Sequence, residues 1–278
     1  MRSEQGAHGW GDLLRALLIV AAGIACAGQG VAAELRIGGT GNALGTIALL
    51  GKAFAAQHPD ILVRVLPSVG SSGAIKAVPK GGLDIGLSSR ALTPEESKPG
   101  LIALEYARSP LVFAVAAKSS ATGLTLDEIA DIYAGRKAAW PDGSQIRPVL
   151  RQAGDDNTSQ VKKMSPAIAA ALTDAEKLTG LPFATTDQEA ADKTEGIPGA
   201  LGVMALSLMR SENRALRPLA LGGVEPTVAN IASGRYPYVK HFYLILRAGQ
   251  SATVQQFVAF VQSPAGHEIL THSGNWVP

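Results

Sequence analysis

The chain has 278 residues, 46% of them hydrophobic and 17% charged, which is ample apolar material for a globular core. Its formal net charge is only +2, its aromatic content is 5%, and its basic residues are scattered along the chain. Proteins that bind nucleic acid concentrate basic residues on one face and often stack bases on aromatic rings, so we expect no nucleic-acid partner.

The amino terminus has the pattern of a secretory signal peptide. Arg2 and Arg15 precede an apolar run over 16–27, which is shorter than the roughly 20 residues of a membrane span. Val31-Ala32-Ala33 then offers a small-residue cleavage site. We therefore assign 1–33 to a signal peptide and expect a soluble periplasmic protein; an uncleaved anchor is the alternative.

The only cysteine of the sequence, Cys26, lies inside that segment. The rest of the chain is therefore predicted to have no disulfide, no thiol nucleophile and no cysteine metal site. Attachment of a lipid to Cys26 is an open alternative, although Gly23-Ile24-Ala25 is a poor lipoprotein signal.

From residue 34 onward, strands and helices alternate. Apolar runs predict strands at 35–37, 61–66 and 83–87, separated by helices at 44–57 and 71–78. This alternation is typical of βαβ units and predicts a mostly parallel sheet. The later elements are a strand at 109–117, a helix at 126–133, a strand at 148–150, helices from about Thr158 and about Asp187, strands at 200–204 and 242–246, and a helix at 252–262.

The helix at 126–133 begins a second α/β region, and Thr125 with Glu128 marks its start as a capping box. If the chain crosses between the two regions near Pro110 and near His241, a cleft forms between two lobes. The predicted lobe boundaries are then 34–111 plus 242–278 for lobe I and 112–241 for lobe II.

Small polar residues follow three successive strands of the first region. They include Thr40, Ser71 and Ser89, each at the predicted carboxyl end of a strand, where α/β sheets bind ligands. Amide groups at helix N-termini attract anions, and Arg151 would add a fork of donors from the second lobe. In any one loop the hydroxyl could merely cap a helix, but three such loops in succession favour an anion site.

Three other functions are possible for these loops, and we disfavour each. Gly39-x-Gly41-x-x-x-Gly45 resembles a dinucleotide loop, but the next strand does not end in the acidic residue that holds the ribose. The Asp155-Asp156-Asn157 stretch offers metal-like oxygens, yet such a loop is more typical of a turn and helix cap. Ser71 has no motif-linked base, so we expect no cofactor, no metal and no enzyme activity.

Several motifs in one order resemble the phosphate-binding proteins of ABC transporters, over essentially the whole chain after the signal segment. The motifs are 69–76, 84–89, 126–135 with Trp140, 226–237 and 274–278. The resemblance implies an α/β fold of the type II periplasmic binding class, in which each of two lobes is a mixed sheet flanked by helices and two hinge strands join them. It also implies a monomer that closes over a small inorganic oxyanion, phosphate or phosphate-like, and delivers it to an ABC permease of the inner membrane. A membrane sensor is the alternative partner.

The family's motif positions carry the ligand contacts onto particular residues of this chain. The predicted contacts are Thr40, Asn42, Ser71, Ser72, Ser89, Arg90, Arg151 and Thr158.

Two of these positions depart from the family pattern. The family has at the position of Ser89 an aspartate that accepts the proton of hydrogen phosphate. The neutral loop that follows Arg151 is replaced by Gly154-Asp155-Asp156-Asn157-Thr158. Two unit charges about 4 Å apart interact by about 4 kcal/mol at an effective dielectric near 20, so two added carboxylates oppose a dianion. Asp155 and Asp156 are therefore expected to point away, to pair with Arg151, Lys162 or Arg90, or to face a ligand other than phosphate.

Overall fold

A computed structural model of the protein describes residues 33–98 and 100–278. The predicted signal peptide and Cys26 lie outside these ranges, except that Ala33 is the first residue of the first strand. None of the helices within the described ranges is long and apolar enough to cross a membrane.

Strands and helices alternate through the first part of the chain, as the hydrophobic pattern predicts. The elements are β1 (Ala33–Gly39), α1 (Gly41–Gln57), β2 (Ile61–Val65), α2 (Gly70–Ala77), β3 (Ile85–Ser88), α3 (Pro94–Ser97) and β4 (Leu101–Ala116). The middle part holds β5 (Gly123–Leu124), α4 (Leu126–Tyr133), β6 (Arg147–Pro148), α5 (Asp156–Lys162), α6 (Pro166–Ala175) and α7 (Asp187–Gly196). The last part holds β7 (Ala200–Ala205), α8 (Leu206–Ser211), β8 (Leu216–Pro218), β9 (Ala220–Leu221), α9 (Val228–Ala232), β10 (Val239–Arg247), α10 (Ala252–Val261) and α11 (Pro264–His272).

Most of the strands form one mixed sheet in the order β2-β1-β3-β10-β4-β7-β6, with β8 added beside β4. The first three strands are parallel, as predicted. The expectation of a mostly parallel sheet is wrong for its centre, because β10 returns from the far end of the chain and pairs antiparallel with both β3 and β4. The separate β5-β9 pair is parallel.

The longest strand, β4, connects the two parts of the sheet. Up to Pro110 it pairs with β10, and from Leu111 onward it pairs with β7 and β8. Its first half was not predicted, because Glu105 and Arg108 interrupt the apolar pattern there. These two side chains form an ion pair with Nε and Oε1 2.6 Å apart, which accommodates them in the strand.

Two large hydrophobic clusters lie on either side of this change of partner. One cluster contains Ile37, Leu50, Phe54 and Phe257, and β4 adds Ala107 to it. The other contains Phe113, Ile129, Trp140 and Tyr236, and β4 adds Leu111 to it. We call the parts around these clusters the amino-terminal half and the central half. The lobe boundaries given above stay a prediction.

Helix starts show how well local chemistry was predicted. α4 begins with the predicted capping box, in which Thr125 and Glu128 bond each other's backbone amides. α6 and α11 were missed, although each starts with a serine cap followed by proline, at Ser165 and Ser263. That pair is a recognised helix start, so the sequence did carry a signal for both helices.

Candidate functional site

A cleft of about 340 Å³ lies where β1 and β2 end and faces the starts of α5 and α7. One side consists of residues from the amino-terminal half, which we call the neutral wall: Thr40, Asn42, Ser68, Val69, Gly70, Ser71 and Ser72. The other side comes from the central half and is called the charged wall: Arg151, Gln152, Gly154, Asp155, Asp156, Thr185, Thr186 and Asp187.

Two glycines let the neutral wall approach its neighbours closely. Gly39 has φ +152°, and a Cβ there would collide with the carbonyl oxygen of Leu87 on β3. A Cβ on Gly41 would come within 2.8 Å of Oδ2 of Asp187, across the cleft. The glycine loop of the opening strand therefore serves close backbone packing, and it brings the start of α1 against the charged wall.

Asn42 connects the two walls directly. Its backbone N–H donates to Oδ2 of Asp187 at 3.0 Å, and its Nδ2 donates to Oδ1 of Asn157 at 3.3 Å. Its own Oδ1 accepts from the N–H of Ala205 at 2.6 Å. Because Asn42 is buried and bonds both Asp187 and Asn157 of the central half, it holds the two sides of the cleft together.

Ser71 of the neutral wall and Ser89 behind it have adjacent hydroxyls, which we call the serine pair. Oγ of Ser71 accepts from the N–H of Ser89 at 3.0 Å, and the two Oγ atoms lie 3.3 Å apart. Both hydroxyls donate to Oδ2 of Asp156 from the opposite wall, Ser89 at 2.7 Å and Ser71 by a shorter bond. Ser89 itself is buried behind the lining residues and reaches the cleft through this contact.

Arg151 is the central cation of the charged wall and is only 8% exposed. Its Nη2 donates to Oδ1 of Asp155 at 2.6 Å, and its Nη1 lies 3.3 Å from Oδ1 of Asp187. Within the described part of the chain, Nε and Nη1 have no hydrogen-bond partner, because the contact of Nη1 with Asp187 lacks hydrogen-bond geometry. Arg151 therefore lines the cleft with a guanidinium whose enclosed Nε and Nη1 are not satisfied by hydrogen bonds.

The two acidic residues after Arg151 have different tasks. Asp155 caps α5, its Oδ2 accepting from the N–H groups of Asn157 at 2.9 Å and Thr158 at 3.1 Å, while its Oδ1 pairs with Arg151. Asp156 crosses the cleft to the serine pair, and its Oδ1 lies 4.0 Å from Nε of Arg90.

Two of the three pairings expected for these acids therefore occur. The third does not, because Lys162 pairs with Glu176 at 2.8 Å.

A buried network beneath the charged wall was missed from the sequence. Lys240 on β10 is 0% exposed, and its Nζ donates to Oδ1 of Asn157 at 2.7 Å. Nδ2 of Asn157 in turn donates to Oδ1 of Asp187 at 2.9 Å. Burial raises the pKa of Asp187 and lowers the pKa of Lys240, since both charged forms are desolvated, although the opposite charges nearby resist these shifts.

The sequence signal for Lys240 was its position next to His241, near which the chain was predicted to cross between the lobes. Asp187 was read only as the start of a helix, so its place in the cleft was not predicted.

Three predicted contacts do not line the cleft: Ser89, which reaches it only through Asp156, Thr158 and Arg90. Thr158 faces a small space beneath α5 between Tyr133 and Leu172, because its backbone N–H is turned toward the cap at Asp155. Arg90 is held by Glu96 through two bonds of 2.8 Å, and these bonds, with others from Thr93, lower the pKa of Glu96 to about 2.

The contact of Arg90 with the neutral wall is limited to the exposed Ser72, to whose Oγ it donates at 3.2 Å. Of the eight predicted residues, the structure thus places five on the cleft. They are Thr40, Asn42, Ser71, Ser72 and Arg151.

The clustered acids do not form a metal site of the usual kind. Across residues 33–98 and 100–278, no group of three or more histidine, cysteine, aspartate or glutamate side chains is placed to hold an ion. The carboxylates of Asp155 and Asp156 are instead turned toward an arginine, a helix start and two hydroxyls.

Comparison with known proteins places the chain among binding proteins. A model described as the PBP superfamily domain matches residues 25–265. The phosphate-binding protein PstS of Borreliella burgdorferi is 24% identical over 74% of this chain and 75% of that protein. PstS of Bacillus subtilis is 21% identical over 88% of this chain and 80% of that protein.

A solved structure of a putative phosphate ABC transporter substrate-binding protein with bound phosphate from Clostridium perfringens has a similar fold. Its TM-score is 0.75, its identity is 22%, and the match covers 88% of this chain and 99% of that one. Together with the mixed α/β sheet, this likeness confirms the predicted fold class.

Proposed function

The chain belongs to the PBP superfamily, and from that premise we propose that it is an exported solute-binding protein that captures an inorganic oxyanion, phosphate or phosphate-like, in the cleft. The neutral wall and Arg151 hold the anion's oxygens, and the two halves close around it by a hinge motion at β4 and β10. The role is binding rather than catalysis, and no histidine or cysteine is among the described residues that line the cleft.

The observation that carries this proposal is the state of Arg151. The guanidinium of Arg151 is almost fully buried, and within the described residues its Nε and Nη1 have no hydrogen-bond partner. Buried donors without partners cost free energy, because they have lost their bonds to water. An oxyanion in the cleft would meet the positive charge of this guanidinium, and a small shift of the side chain would turn an unsatisfied donor toward it. Arg151 is therefore the group of the charged wall that can attract an anion.

The neutral wall adds an uncapped helix start. Most helices of the described chain begin with a side-chain cap, but α2 begins at Val69 without one, and its first residues Gly70, Ser71 and Ser72 line the cleft. The first-turn N–H groups of a helix have no intrahelical partners, so they are available to an anion. Thr40, at the start of α1, likewise makes no side-chain cap, which leaves its hydroxyl available.

The proposed partner is an ABC permease of the inner membrane, and the proposed location is the periplasm. Both proposals rest on the signal-like segment before Ala33. They also rest on the similar proteins, which are phosphate-binding proteins and a putative phosphate ABC transporter substrate-binding protein. We propose that the protein acts as a monomer, because the cleft is built from one chain.

Isothermal titration calorimetry with phosphate, sulfate and other small oxyanions tests the proposed function. Arg151→Lys keeps the charge but loses the planar fork, and it should weaken phosphate binding by at least about tenfold, the value of a charge-assisted hydrogen bond. The matched control is Arg147→Lys, four residues earlier, where the guanidinium binds the carbonyl of Pro198 outside the cleft. Binding of no small oxyanion, or equal binding by both variants, would refute the proposal.

A further inference from the structure

We infer that the carboxylate of Asp156 is an internal competitor for the anion: it occupies the serine pair, and the incoming anion must displace it. This inference rests on the proposed function and concerns the regulation of the same cleft. One oxygen, Oδ2 of Asp156, accepts from Ser71 and also from Ser89 at 2.7 Å, so both hydroxyls are engaged by a carboxylate of the opposite wall.

The contact of Asp156 with Ser71 and Ser89 across the cleft is not needed to form α5. Asp155 is the N-cap of that helix, and its Oδ2 satisfies the N–H groups of Asn157 and Thr158. The side chain of Asp156 does not cap its own helix and instead bonds two residues of the amino-terminal half, Ser71 on α2 and Ser89 after β3. Its side chain therefore acts between the halves.

An external anion and the carboxylate of Asp156 cannot share the serine pair. Each hydroxyl has one proton to donate, and both protons are directed at Oδ2 of Asp156. Two negative groups in so small a space also repel, and the nearest cation on that side, Arg90, already has its guanidinium bonded to both oxygens of Glu96. The two anions thus compete for one place.

A displaced Asp156 side chain can rotate toward the rim of the cleft. It is 22% exposed, and its Oδ1 already lies 4.0 Å from Nε of Arg90 at the rim. A rotation toward the rim would free Ser71 and Ser89 while keeping an ionic partner nearby. Arg151 is unaffected by this rotation, because its carboxylate partners are Asp155 and Asp187.

Internal competition has two consequences. The halves are held together in the absence of anion, because the bonds of Asp156 cross the cleft. The apparent affinity is also reduced, since the competent state is only a fraction of the ligand-free population. A solute with a single carboxylate gains little over Asp156 itself, whereas a tetrahedral oxyanion can engage the serine pair and Arg151 together.

The test uses the protein chain without its signal segment and the variants Asp156→Asn and Asp156→Ala, titrated with inorganic phosphate. We expect both variants to bind phosphate at least about tenfold more tightly than the unmodified protein, with the alanine variant tighter, because the displaced bonds are charge-assisted. The matched control, Asp127→Ala, removes an exposed aspartate from the first turn of α4 and should leave the affinity unchanged.

Small-angle X-ray scattering of the ligand-free proteins supplies a second measurement. We expect Asp156→Ala to have a larger radius of gyration than the unmodified protein and to contract when phosphate is added. The inference that Asp156 competes with the anion would be overturned if the phosphate affinity fell or stayed the same in both Asp156 variants. An unchanged radius of gyration in Asp156→Ala would overturn it as well. If neither the unmodified protein nor the variants bind phosphate, the proposed function fails, and the radius still decides whether Asp156 holds the halves together.

Discussion

The neutral wall of the cleft is built of hydroxyls, an amide and an uncapped helix start, whereas the charged wall carries Arg151 and three carboxylates. The residues of the neutral wall lie in loops that follow the consecutive strands β1 and β2, although Asn42 and Ser71 also bond distant residues. Each charge of the other wall needs a partner in a desolvated place, and those partners come from distant positions such as Lys240. The residues of the neutral wall therefore lie in loops that can be recognised from the local sequence. The partners of the charged wall come from segments that only the complete fold brings together.

Asn42 and Asn157 test this comparison with the largest expected effect. Both are 1% exposed and they bond each other, but Asn42 otherwise serves the neutral N–H of Ala205, while Asn157 serves Lys240 and Asp187. Asn157→Ala should lower the free energy of unfolding by about 3 kcal/mol or more, because the buried charged groups Lys240 and Asp187 each lose a hydrogen bond. Asn42→Ala should cost about 1–3 kcal/mol, the cost of an unsatisfied buried neutral group.

Guanidinium denaturation at neutral pH measures both losses. Asn230→Ala provides the control, since its amide bonds the carbonyl of Glu225 near the surface and should cost less than about 1 kcal/mol. Equal losses in the Asn42 and Asn157 variants would mean that the charges beneath the cleft do not distinguish the two walls.

The sequence predicted the neutral wall better than the charged wall. The α/β fold class is confirmed, and so is the membership in a family of binding proteins. The predicted loops at Thr40 and Ser71 lie on the cleft because a strand end and the following helix start bring them there.

The charged wall was predicted only in part, for physical reasons. The identity of Arg151 was visible, but the network of Asn157, Asp187 and Lys240 joins segments far apart in the chain, and no local pattern announces it. The position of Asp156 was left open among several alternatives, because its partners depend on how the halves meet. β4 was predicted too short, since the ion pair of Glu105 and Arg108 hides its first half.

Arg90 is a charged residue of the amino-terminal half, but its main contact is with Glu96 and not with the cleft. Its hydrogen bonds are the largest contribution that lowers the pKa of Glu96 to about 2. A carboxylate whose folded pKa is depressed stabilises the protein above its unfolded pKa, and this contribution is lost as the pH falls through the folded value. The stability difference between the protein and Arg90→Met should thus be about 1 kcal/mol at pH 7 and vanish between about pH 5 and pH 2.

Denaturation midpoints measured across this pH range check the expectation, and Glu96→Gln should abolish the same pH-dependent difference. Phosphate affinity should change less than about threefold in Arg90→Met, because Glu96 already compensates the guanidinium. A large loss of affinity would mean that Arg90 takes part in anion binding, either in the site itself or as the ionic partner of the displaced Asp156.

Thr158 should give the smallest effect, although the family pattern makes it a ligand contact. Its side chain faces the space between Tyr133 and Leu172 beneath α5, and its N–H stays bonded to Asp155 whatever the side chain is. Thr158→Val should therefore keep phosphate affinity within about twofold and change stability by less than about 1 kcal/mol. Ser71→Ala, which removes a hydroxyl that does line the cleft, is the contrasting variant for the same titration. If Thr158→Val weakened binding as much as Ser71→Ala, the hydroxyl of Thr158 would have to turn into the cleft when the anion binds. The charged wall would then rearrange around the anion instead of receiving it in place.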